Sequence, residues 1–448
     1  MEQYNIEKAK TPVKVKMVKC LICGATFEAT LDKCPVCGVG PEYFETYEEE
    51  VTTYRKDTDE RFVILGNGAA GLSAAEAIRE RNGTCSVIIV SDEPYLSYNR
   101  PMLTKSLVSL KSADEITIHN SEWYERNGIV NKLGVRAEKL DTASKTVFLE
   151  DGSKLEYDKC IYALGSECFI PPIAGADKPE VVAVRRMSDV QKIRILSEKV
   201  ENAVVIGGGV LGLETAWELY RSGTRVTVLE VADKLMVRQL DDTAGELLAD
   251  IIKGVGIDFR VNAKITEIIG DGSVTGVKLD DGTVYPAELV IISAGVRPNT
   301  GIAKAAGIAA ERSVIVNERM ETSAADVYAC GDCAQYNGIN YAIWPQALEM
   351  GRVAGANAVG DRISYEAVPA ALTFEGMNTS LFAAGENGRN PGVRYKIVEV
   401  RDPSVKTYEK YYFTDNGLEG VILIGDTSRI GELTAALNEK RKYNGLKL

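Results

Sequence analysis

The sequence predicts an α/β protein of several domains, and three patterns carry this prediction. Residues 61–94 and 202–230 each contain an apolar strand, a G-x-G-x-x-G turn, a helix and a second strand. Two C-x-x-C pairs stand near the start of the chain, and alternating apolar residues typical of strands follow residue 368. We therefore expect two Rossmann-like, three-layer domains, with a small metal-knuckle domain before them and an α+β domain after them.

Composition and charge exclude several classes of protein. The 448 residues suffice for about three domains, and 45% apolar with 26% charged residues is ordinary for a globular chain. The net charge of −12 argues against nucleic-acid binding, which needs a clustered positive face. No apolar run reaches the ~18 residues of a membrane span, and residues 1–17 lack the apolar core of a signal peptide. We therefore expect a cytoplasmic protein with no nucleic-acid or membrane partner.

Cysteine and histidine usage limits the chemistry. The chain has nine cysteines and one histidine, His119, which we expect to be exposed or to cap a helix. In a reducing compartment the cysteines should be metal ligands, redox groups or buried apolar residues. A single imidazole does not suit a multi-histidine metal site or a Ser-His-Asp or Cys-His mechanism. Cofactors should therefore carry most of the chemistry.

Four N-terminal cysteines form a candidate metal site. Cys20 and Cys23 make a C-x-x-C-G knuckle, and Cys34 and Cys37 make a C-P-x-C-G knuckle. Each knuckle places two thiolates on a tight turn, and two knuckles supply the tetrahedral S₄ set that suits iron or zinc. The spacing indicates a metal without deciding between these two.

The first G-x-G-x-x-G motif lies in a complete βαβ unit. The predicted strand Phe62 to Leu65 leads into the glycines, and an Ala-rich helix stops at Gly83. The strand Ser86 to Val90 then delivers Glu93, which can hold ribose hydroxyls. The three glycines make the turn, admit a pyrophosphate and let helix pack on strand; they are Gly66, Gly68 and Gly71.

The second unit repeats this arrangement. Its glycines are Gly207, Gly209 and Gly212, its helix ends at Gly223, and the strand Arg225 to Leu229 delivers Glu230. A carboxylate at that position accepts from the 2′-hydroxyl of NAD and repels the 2′-phosphate of NADP. The second unit is therefore predicted to prefer NADH.

Taken in order with the later segments YDKCIYALGS, VIISAGVRPN and VYACGDCAQ, these motifs resemble the two-dinucleotide-binding-domain flavoprotein family. Within it, residues 60–448 are most similar to NADH-dependent rubredoxin, ferredoxin and nitrite reductase flavin subunits. The resemblance implies that the first unit and the later segments bind FAD, through Gly66, Gly68, Ala69, Ala70, Gly71, Glu93, Arg100, Lys105, Ala163, Gly165 and Asp332. It implies that the inserted second unit binds NADH, through Gly207, Gly209, Leu211, Gly212, Glu230 and Gly295.

The resemblance also implies two catalytic residues. Lys105 matches a lysine beside flavin N5, and Glu214 matches the glutamate that pairs with it. A buried ammonium there stabilises the anionic reduced flavin, and the carboxylate limits the cost of burying it. Without the resemblance, both would be taken for surface charges.

The knuckles, with Tyr43 and Phe44 after them, resemble a short rubredoxin domain, although ordinary rubredoxin has a longer segment between its knuckles. The alternative is a zinc ribbon. The C-terminal strands resemble the family's α+β interface domain, which leaves a monomer or a homodimer open. The predicted domains are a rubredoxin-like domain at 17–46, a linker at 47–60, an FAD-binding domain at 61–173 and 291–366, an NAD-binding domain at 174–290 and an interface domain at 367–448.

Active-cysteine reductases are a related class that the sequence disfavours. No cysteine stands at residues 94–111, 71–80 or 174–290, where relatives carry theirs. Cys330 and Cys333 form a further C-x-x-C pair, which is either a redox dithiol or, more in keeping with its place beside Asp332, two packing thiols. Residues 341–359 predict an amphipathic helix in which Trp344 contacts the flavin edge or packs in the core.

The favoured hypothesis joins these parts into one electron path. NADH gives two electrons as a hydride, a single S₄ iron accepts one at a time, and FAD converts between the two. Electrons would pass from NADH to FAD, to the knuckle iron and to an external acceptor such as a rubrerythrin, a flavodiiron protein or a rubredoxin. The alternatives are an NADH oxidase or peroxidase with a zinc-ribbon docking module, and a redox-sensing interaction protein without turnover.

Overall fold

The computed structural model describes residues 13–22, 26–28, 34, 39–51, 57–110, 112–367, 369–402 and 404–446. The strands are β1 (Val13–Cys20), β2 (Thr26–Glu28), β3 (Phe44–Val51), β4 (Arg61–Leu65), β5 (Ser86–Ser91), β6 (Ile129–Leu133), β7 (Ala137–Asp141), β8 (Thr146–Leu149), β9 (Lys154–Glu156), β10 (Lys159–Tyr162), β11 (Ser166–Cys168), β12 (Val181–Val182), β13 (Asn202–Ile206), β14 (Arg225–Leu229), β15 (Asp258–Arg260), β16 (Ile265–Ile269), β17 (Gly276–Leu279), β18 (Val284–Pro286), β19 (Leu289–Ile292), β20 (Val296–Pro298), β21 (Val314–Val316), β22 (Val327–Ala329), β23 (Ala334–Tyr336), β24 (Ala371–Gly376), β25 (Thr379–Gly385), β26 (Lys396–Asp402), β27 (Thr407–Thr414) and β28 (Gly417–Ile424). The α-helices are α1 (Ala69–Arg81), α2 (Met102–Lys105), α3 (Ser121–Arg126), α4 (Met187–Ser197), α5 (Val210–Arg221), α6 (Asp242–Val255), α7 (Gly301–Ala305), α8 (Trp344–Ala358) and α9 (Ile430–Asn438).

The described residues cluster into two compact units. The first draws on Met1–Asn99, Ile116–Ser166 and Pro298–Ala367, and the second on Arg100–Glu115, Glu167–Arg297 and Val368–Leu448. Each unit contains one G-x-G-x-x-G turn. The segment Arg100–Glu115, predicted as part of the FAD-binding domain, clusters with the second unit because α2 packs against α5 there. The other domain bounds stay predictions.

Each unit contains a five-stranded parallel sheet, and the two sheets have the same design. Their strand orders are β22-β10-β4-β5-β6 and β12-β19-β13-β14-β15. In both, the first strand of the βαβ motif (β4 or β13) pairs in parallel with the second (β5 or β14). The chain reverses its direction of sheet growth beside that first strand, so each glycine turn lies at a topological switch point. The predicted α/β fold with two Rossmann-like sheets is therefore confirmed.

Both first strands are buried, as their unbroken apolar runs predict. Phe62, Val63, Ile64 and Leu65 of β4 are all inaccessible to solvent. Parallel strands covered on both faces carry such continuous runs instead of alternating ones. A small antiparallel sheet, β7-β8-β9 in the first unit and β16-β17-β18 in the second, completes each repeat.

Helices α1 and α8 of the first unit pack with their backbones almost in contact. A Cβ on Gly351 would lie 2.2 Å from the carbonyl oxygen of Ala70, and one on Gly355 would lie 2.3 Å from that of Ala74. The helix predicted at 341–359 forms as α8, but its last part is not amphipathic, because residues 353–358 are all buried. The small residues of both helices explain the difference, since they permit this close approach.

The last strands form one antiparallel sheet in the order β24-β25-β28-β27-β26. The alternating pattern after residue 368 predicts strands at VRYKIVEV, TYEKYYFT and GVILIGD, where β26, β27 and β28 form, but it gives no signal for β24 and β25. Their hairpin turns at Met377 and Asn378, whose φ angles are +55° and +56°. A left-handed turn without glycine gives a weak hairpin signal, because the usual Asn-Gly or Asp-Gly pair is absent.

The N-terminal strands form a three-stranded antiparallel sheet, β2-β1-β3. The pairing of β1 with β3 runs from Cys20 opposite Phe44 to Val13 opposite Val51. Residues 47–51 of the predicted linker at 47–60 therefore form the end of β3. The register sets three lysine positions of β1 opposite glutamate positions of β3: Lys14 with Glu50, Lys16 with Glu48 and Lys19 with Glu45.

Within the described ranges, no helix combines the length and the apolar character needed to cross a lipid bilayer.

Candidate functional site

The first glycine turn has the geometry of a phosphate cradle. Gly66 has φ +109°, and a Cβ there would lie 2.1 Å from the carbonyl oxygen of Ala163. A Cβ on Gly71 would lie 2.0 Å from the carbonyl oxygen of Gly66, whereas one on Gly68 would meet nothing within 4 Å. Gly68 is also the residue before α1, so the first N–H groups of this helix have no side-chain cap. Open space beside uncapped helical N–H groups suits a pyrophosphate.

Asp332, a predicted FAD residue from a distant part of the sequence, follows a glycine that packs on this turn. Gly331 has φ +73°, and a Cβ there would lie 2.8 Å from the Cβ of Ala70 in the first turn of α1. Asp332 follows it, and its Oδ2 accepts a hydrogen bond from Ser166 Oγ at 2.8 Å. Asn340 Nδ2 donates to the backbone oxygen of Asp332 at 2.8 Å and fixes this loop.

Buried polar atoms in the first unit also fit a large polar ligand. In the described part of the chain, Asn67 Oδ1 and Trp344 Nε1 are buried and make no hydrogen bond. Asn67 belongs to the glycine turn, and Trp344 begins α8 and packs on the core of this unit. Polar atoms buried in this way are usually satisfied by a ligand or by water. The sequence did not suggest a role for Asn67, because the G-x-G-x-x-G motif leaves the residue between its first two glycines unspecified.

Glu93 sits at the end of β5, as predicted for a ribose-binding acid. Its Oε2 accepts from the Tyr98 hydroxyl at 2.7 Å, and its backbone N–H donates to Ser91 Oγ at 3.2 Å. These bonds orient the half-buried carboxylate. Tyr98 was missed in the sequence because its role depends on the loop that folds back to Glu93.

The second glycine turn repeats the geometry of the first. Gly207 has φ +118°, and a Cβ there would lie 2.2 Å from the carbonyl oxygen of Ser293. A Cβ on Gly212 would lie 2.0 Å from the Gly207 oxygen, and one on Gly209 would meet nothing within 4 Å. Leu211, in the first turn of α5, is 48% exposed. This unit therefore has the same open cradle beside an apolar side chain that a ligand can cover.

Glu230 follows β14 and contacts the second turn directly. Its Oε2 accepts from the N–H of Gly208 at 2.6 Å, and its Oε1 accepts from the N–H of Ala232 at 2.8 Å. A carboxylate fixed beside the glycine turn is placed as the dinucleotide fold requires for ribose recognition. Gly295, another predicted NADH contact, has φ +96° just beyond β19.

The predicted catalytic pair lies within the second unit, with a hydroxyl that the sequence did not suggest. Glu214 on α5 is 3% exposed, and its Oε2 accepts from Thr104 Oγ1 of α2 at 2.5 Å. Burial raises the pKa of Glu214 to about 7, and the Lys105 ammonium and the Thr104 hydroxyl oppose this rise. The view of Glu214 as a surface charge is therefore wrong. Arg100, at the start of the same segment, donates to the backbone oxygen of Arg185 at 2.5 Å.

The structure describes two of the four predicted metal ligands. Cys20 ends β1 and is inaccessible, and Cys34 is 2% exposed. Backbone bonds close the chain around them, from Leu21 N–H to Tyr43 O and from Cys34 N–H to Val39 O, both at 2.9 Å. Cys23 and Cys37 lie outside the described residues. No cluster of three or more His, Cys, Asp or Glu side chains suited to a metal occurs among the residues that are described, so the four-cysteine site stays a prediction.

The two cysteines of the second C-x-x-C motif, Cys330 and Cys333, are buried packing residues. Cys330 and Cys333 are inaccessible, and burial raises the pKa of the Cys333 thiol to about 12. A thiol with such a pKa is protonated and unreactive at neutral pH, which argues against the redox dithiol.

His119 differs from its prediction as an exposed or helix-capping residue. Its side chain is half-buried, its Nε2 lies 2.6 Å from Glu76 Oε1, and its ring stacks on Trp123.

The two open glycine turns agree with the comparison to known proteins. Residues 60–351 match the family model described as pyridine nucleotide-disulphide oxidoreductase. The chain belongs to this family. Residues 369–441 match a second model, the rubredoxin NAD+ reductase C-terminal domain. Family membership confirms the predicted enzyme class and supports FAD and NADH as cofactors.

Individual members of the family give the closer likenesses. The chain is 35% identical over 382 residues to nitrite reductase [NAD(P)H] of Bacillus subtilis (strain 168), covering 85% of this chain and 47% of that protein. It is 31% identical over 387 residues to NADH-rubredoxin oxidoreductase of Clostridium acetobutylicum, covering 86% and 96%. The crystal structure of NADH:rubredoxin oxidoreductase from that organism matches with a TM-score of 0.72 and 31% identity, covering 87% of this chain and 97% of the other. The chain spans about half the length of the nitrite reductase and of a related nitrate reductase subunit.

Proposed function

We propose that the chain is an NADH-dependent flavoprotein reductase that passes electrons from NADH through its FAD to a rubredoxin-type iron held by Cys20, Cys23, Cys34 and Cys37, and from there to an external redox protein in the cytoplasm. The observation that carries the proposal is the pair of equivalent open glycine turns, one in each unit. Two turns of this kind provide one cradle for each of two dinucleotides. The relatives named as rubredoxin reductases support the choice of acceptor class.

The first cradle is assigned to FAD and the second to NADH. Gly68 and the N-terminus of α1 would receive the FAD pyrophosphate, with Glu93 at a ribose and Asp332 at the ribityl chain. Gly209 and the N-terminus of α5 would receive the NADH pyrophosphate, with Glu230 at the adenosine ribose. FAD, when bound, supplies the exchange between two-electron and one-electron transfer.

Lys105, Thr104 and Glu214 would act as one group beside the flavin. The Lys105 ammonium favours negative charge on the reduced ring. The buried Glu214 holds a proton near neutral pH, so burying the group does not require a full ion pair. The hydroxyl of Thr104 fixes the carboxyl and thereby links α2 to α5.

The knuckle cysteines fit iron by the chemistry of their donors. Four thiolates form the set that both iron and zinc accept, and burial of Cys20 and Cys34 keeps two of them from solvent. Fusion to a flavin enzyme favours iron, because zinc carries no electrons. The external partner would be a rubredoxin, a rubrerythrin or a flavodiiron protein.

Steady-state turnover tests the proposed function. The purified, iron-replete protein should oxidise NADH faster with a rubredoxin as acceptor than with oxygen or hydrogen peroxide, and should prefer NADH to NADPH because of Glu230. If peroxide or oxygen is the fastest acceptor and added rubredoxin has no effect, the NADH oxidase or peroxidase alternative replaces this function. If neither acceptor supports turnover while both nucleotides bind, the sensing role replaces it.

A further inference from the structure

The segment that follows Glu230, residues 231–240, packs on the second glycine turn. Met236 N–H donates to the carbonyl oxygen of Gly208 at 2.9 Å. Leu235 Cδ2 would lie 2.4 Å from a Cβ added to Gly208. Met236 is buried with φ +47°, a conformation that costs a non-glycine residue energy and persists only when its surroundings impose it. This segment and the Glu230 carboxylate therefore both contact Gly208.

The loop between β25 and β26 binds the same segment. Asn387 Nδ2 donates to the carbonyl oxygen of Arg238 at 2.9 Å. The Arg389 guanidinium donates to the carbonyl oxygens of Val237 and Leu240, the latter at 2.8 Å. Three carbonyl groups of the segment are thus bound by one loop of the C-terminal region.

A partly buried carboxylate, Asp241, directly follows the segment. Asp241 caps α6 by accepting from Ala244 N–H at 2.8 Å. Its other oxygen accepts from the hydroxyls of Tyr408 and Tyr412 at 3.0 and 2.9 Å and from Lys410 Nζ at 2.5 Å. These three donors alternate along β27 and therefore point to one face of that strand. The Asp241 and Lys410 side chains are each 13% exposed, which makes these bonds stronger than surface contacts.

We propose that Asp241 and Arg389 are positioning residues through which the C-terminal sheet presses segment 231–240 onto the Gly208 turn and so sets the affinity for the nicotinamide dinucleotide. The inference rests on the proposed assignment of NADH to the second unit. The C-terminal sheet then affects NADH binding through segment 231–240 and does not contact the nucleotide itself. Loosening it lets the Gly208 turn and the Glu230 carboxylate move, and both must be fixed to recognise a ribose and a pyrophosphate.

Substitutions on β27 and in the 386–390 loop test this proposal in the full-length protein. The double variant Tyr408→Phe/Tyr412→Phe removes two donors to Asp241, and Arg389→Ala removes those to Val237 and Leu240. Each should raise the KM for NADH and the Kd for NAD+ by about five- to tenfold, because each lost bond to a charged or buried group weakens the support by a modest amount. The kcat at saturating NADH should stay within about twofold, and FAD content should not change. Arg389→Lys, which keeps one donor, should give an intermediate KM.

Two matched controls separate positioning from general stability. Tyr411→Phe makes the same change on the opposite face of β27, where the hydroxyl contacts Glu409 and Arg429. Arg394→Ala removes an exposed arginine a few residues from Arg389. Both should leave the KM for NADH unchanged. An unchanged KM in the β27 double variant and in Arg389→Ala overturns the inference, as does a fall in kcat or melting temperature with no change in KM. Failure of the proposed function appears separately, as absence of NADH oxidation by the parent protein.

Discussion

At the scale of single residues, the proposed roles of Gly68, Gly209 and Glu214 rest on open space beside a glycine or on a buried carboxyl group. Gly68 and Gly209 differ from the other motif glycines because a Cβ there would meet open space, not protein. Glu214 differs from the surface glutamates because it is inaccessible and bonded to Thr104. Substitutions at these three positions therefore test binding, catalysis and stability.

Gly209→Ala should fold normally and bind NADH at least about tenfold more weakly, because the methyl group occupies the space where a pyrophosphate approaches the backbone. The Kd for NAD+ by calorimetry measures this effect. Gly301→Ala is the control, since a Cβ there also meets nothing within 4 Å and lies outside both turns. Equal affinity in Gly209→Ala and the parent protein would remove NADH from this turn.

Lys105→Met should slow the reduction of FAD by NADH by about tenfold or more, because it removes the positive charge assigned to the reduced ring. Stopped-flow traces at the flavin absorbance measure this rate. Lys192→Met, on the exposed side of α4, is the matched control and should behave as the parent does. Overlapping traces for Lys105→Met and the parent would exclude the role.

Glu214 predicts a pH dependence of stability. Its pKa in the folded protein is raised to about 7 by burial, above the ordinary value of 4.5. A carboxyl group whose folded-state pKa is raised contributes its full stabilisation below pH 4.5. That contribution is lost as the pH rises to about 7, and the loss is on the order of 3 kcal/mol. Glu214→Gln should therefore flatten the fall in melting temperature between pH 4.5 and 7. Parallel curves for the two proteins would show that the carboxyl is ionised throughout.

At the scale of elements, the sequence predicts those parts that local patterns determine. The strands β4, β5, β13 and β14 and the helices between them appear where the glycine turns and apolar runs place them. Two of the contacts that the sequence did not suggest depend on distant residues. Thr104 gains its role from α5, and segment 231–240 gains its role from the C-terminal region. No short window of sequence contains both partners of these two contacts.

The crossing of α1 and α8 predicts an effect of small substitutions. Gly351→Ala should lower the melting temperature by about 5 °C and reduce FAD retention, because the new methyl group would overlap the carbonyl of Ala70. Thermal melts and flavin absorbance check both effects. Glu349→Ala, two residues away and partly exposed, should change neither. A melting temperature equal to the parent's would mean that the helices can separate without cost.

At the scale of the whole molecule, the proposed knuckle domain precedes a duplicated nucleotide-binding fold. In the described residues, the N-terminal sheet includes Val51, and Asp57 and Thr58 bond to Gly83 and Asn82 at the end of α1. The six residue steps from Val51 to Asp57 extend to at most ~22 Å. A connection of this length would keep the effective concentration of the proposed domain high, in the millimolar range.

The most direct test of this account is an anaerobic titration of the iron-replete, purified protein with NADH, followed by visible absorption. We expect the flavin bands to bleach and the ferric-thiolate absorption to be lost with them. The variant Cys20→Ser/Cys34→Ser should bleach at the flavin and lack the ferric absorption. Bleaching of the flavin in the parent protein while the metal centre stays oxidised, or a site filled only with zinc, would contradict the proposed path of electrons.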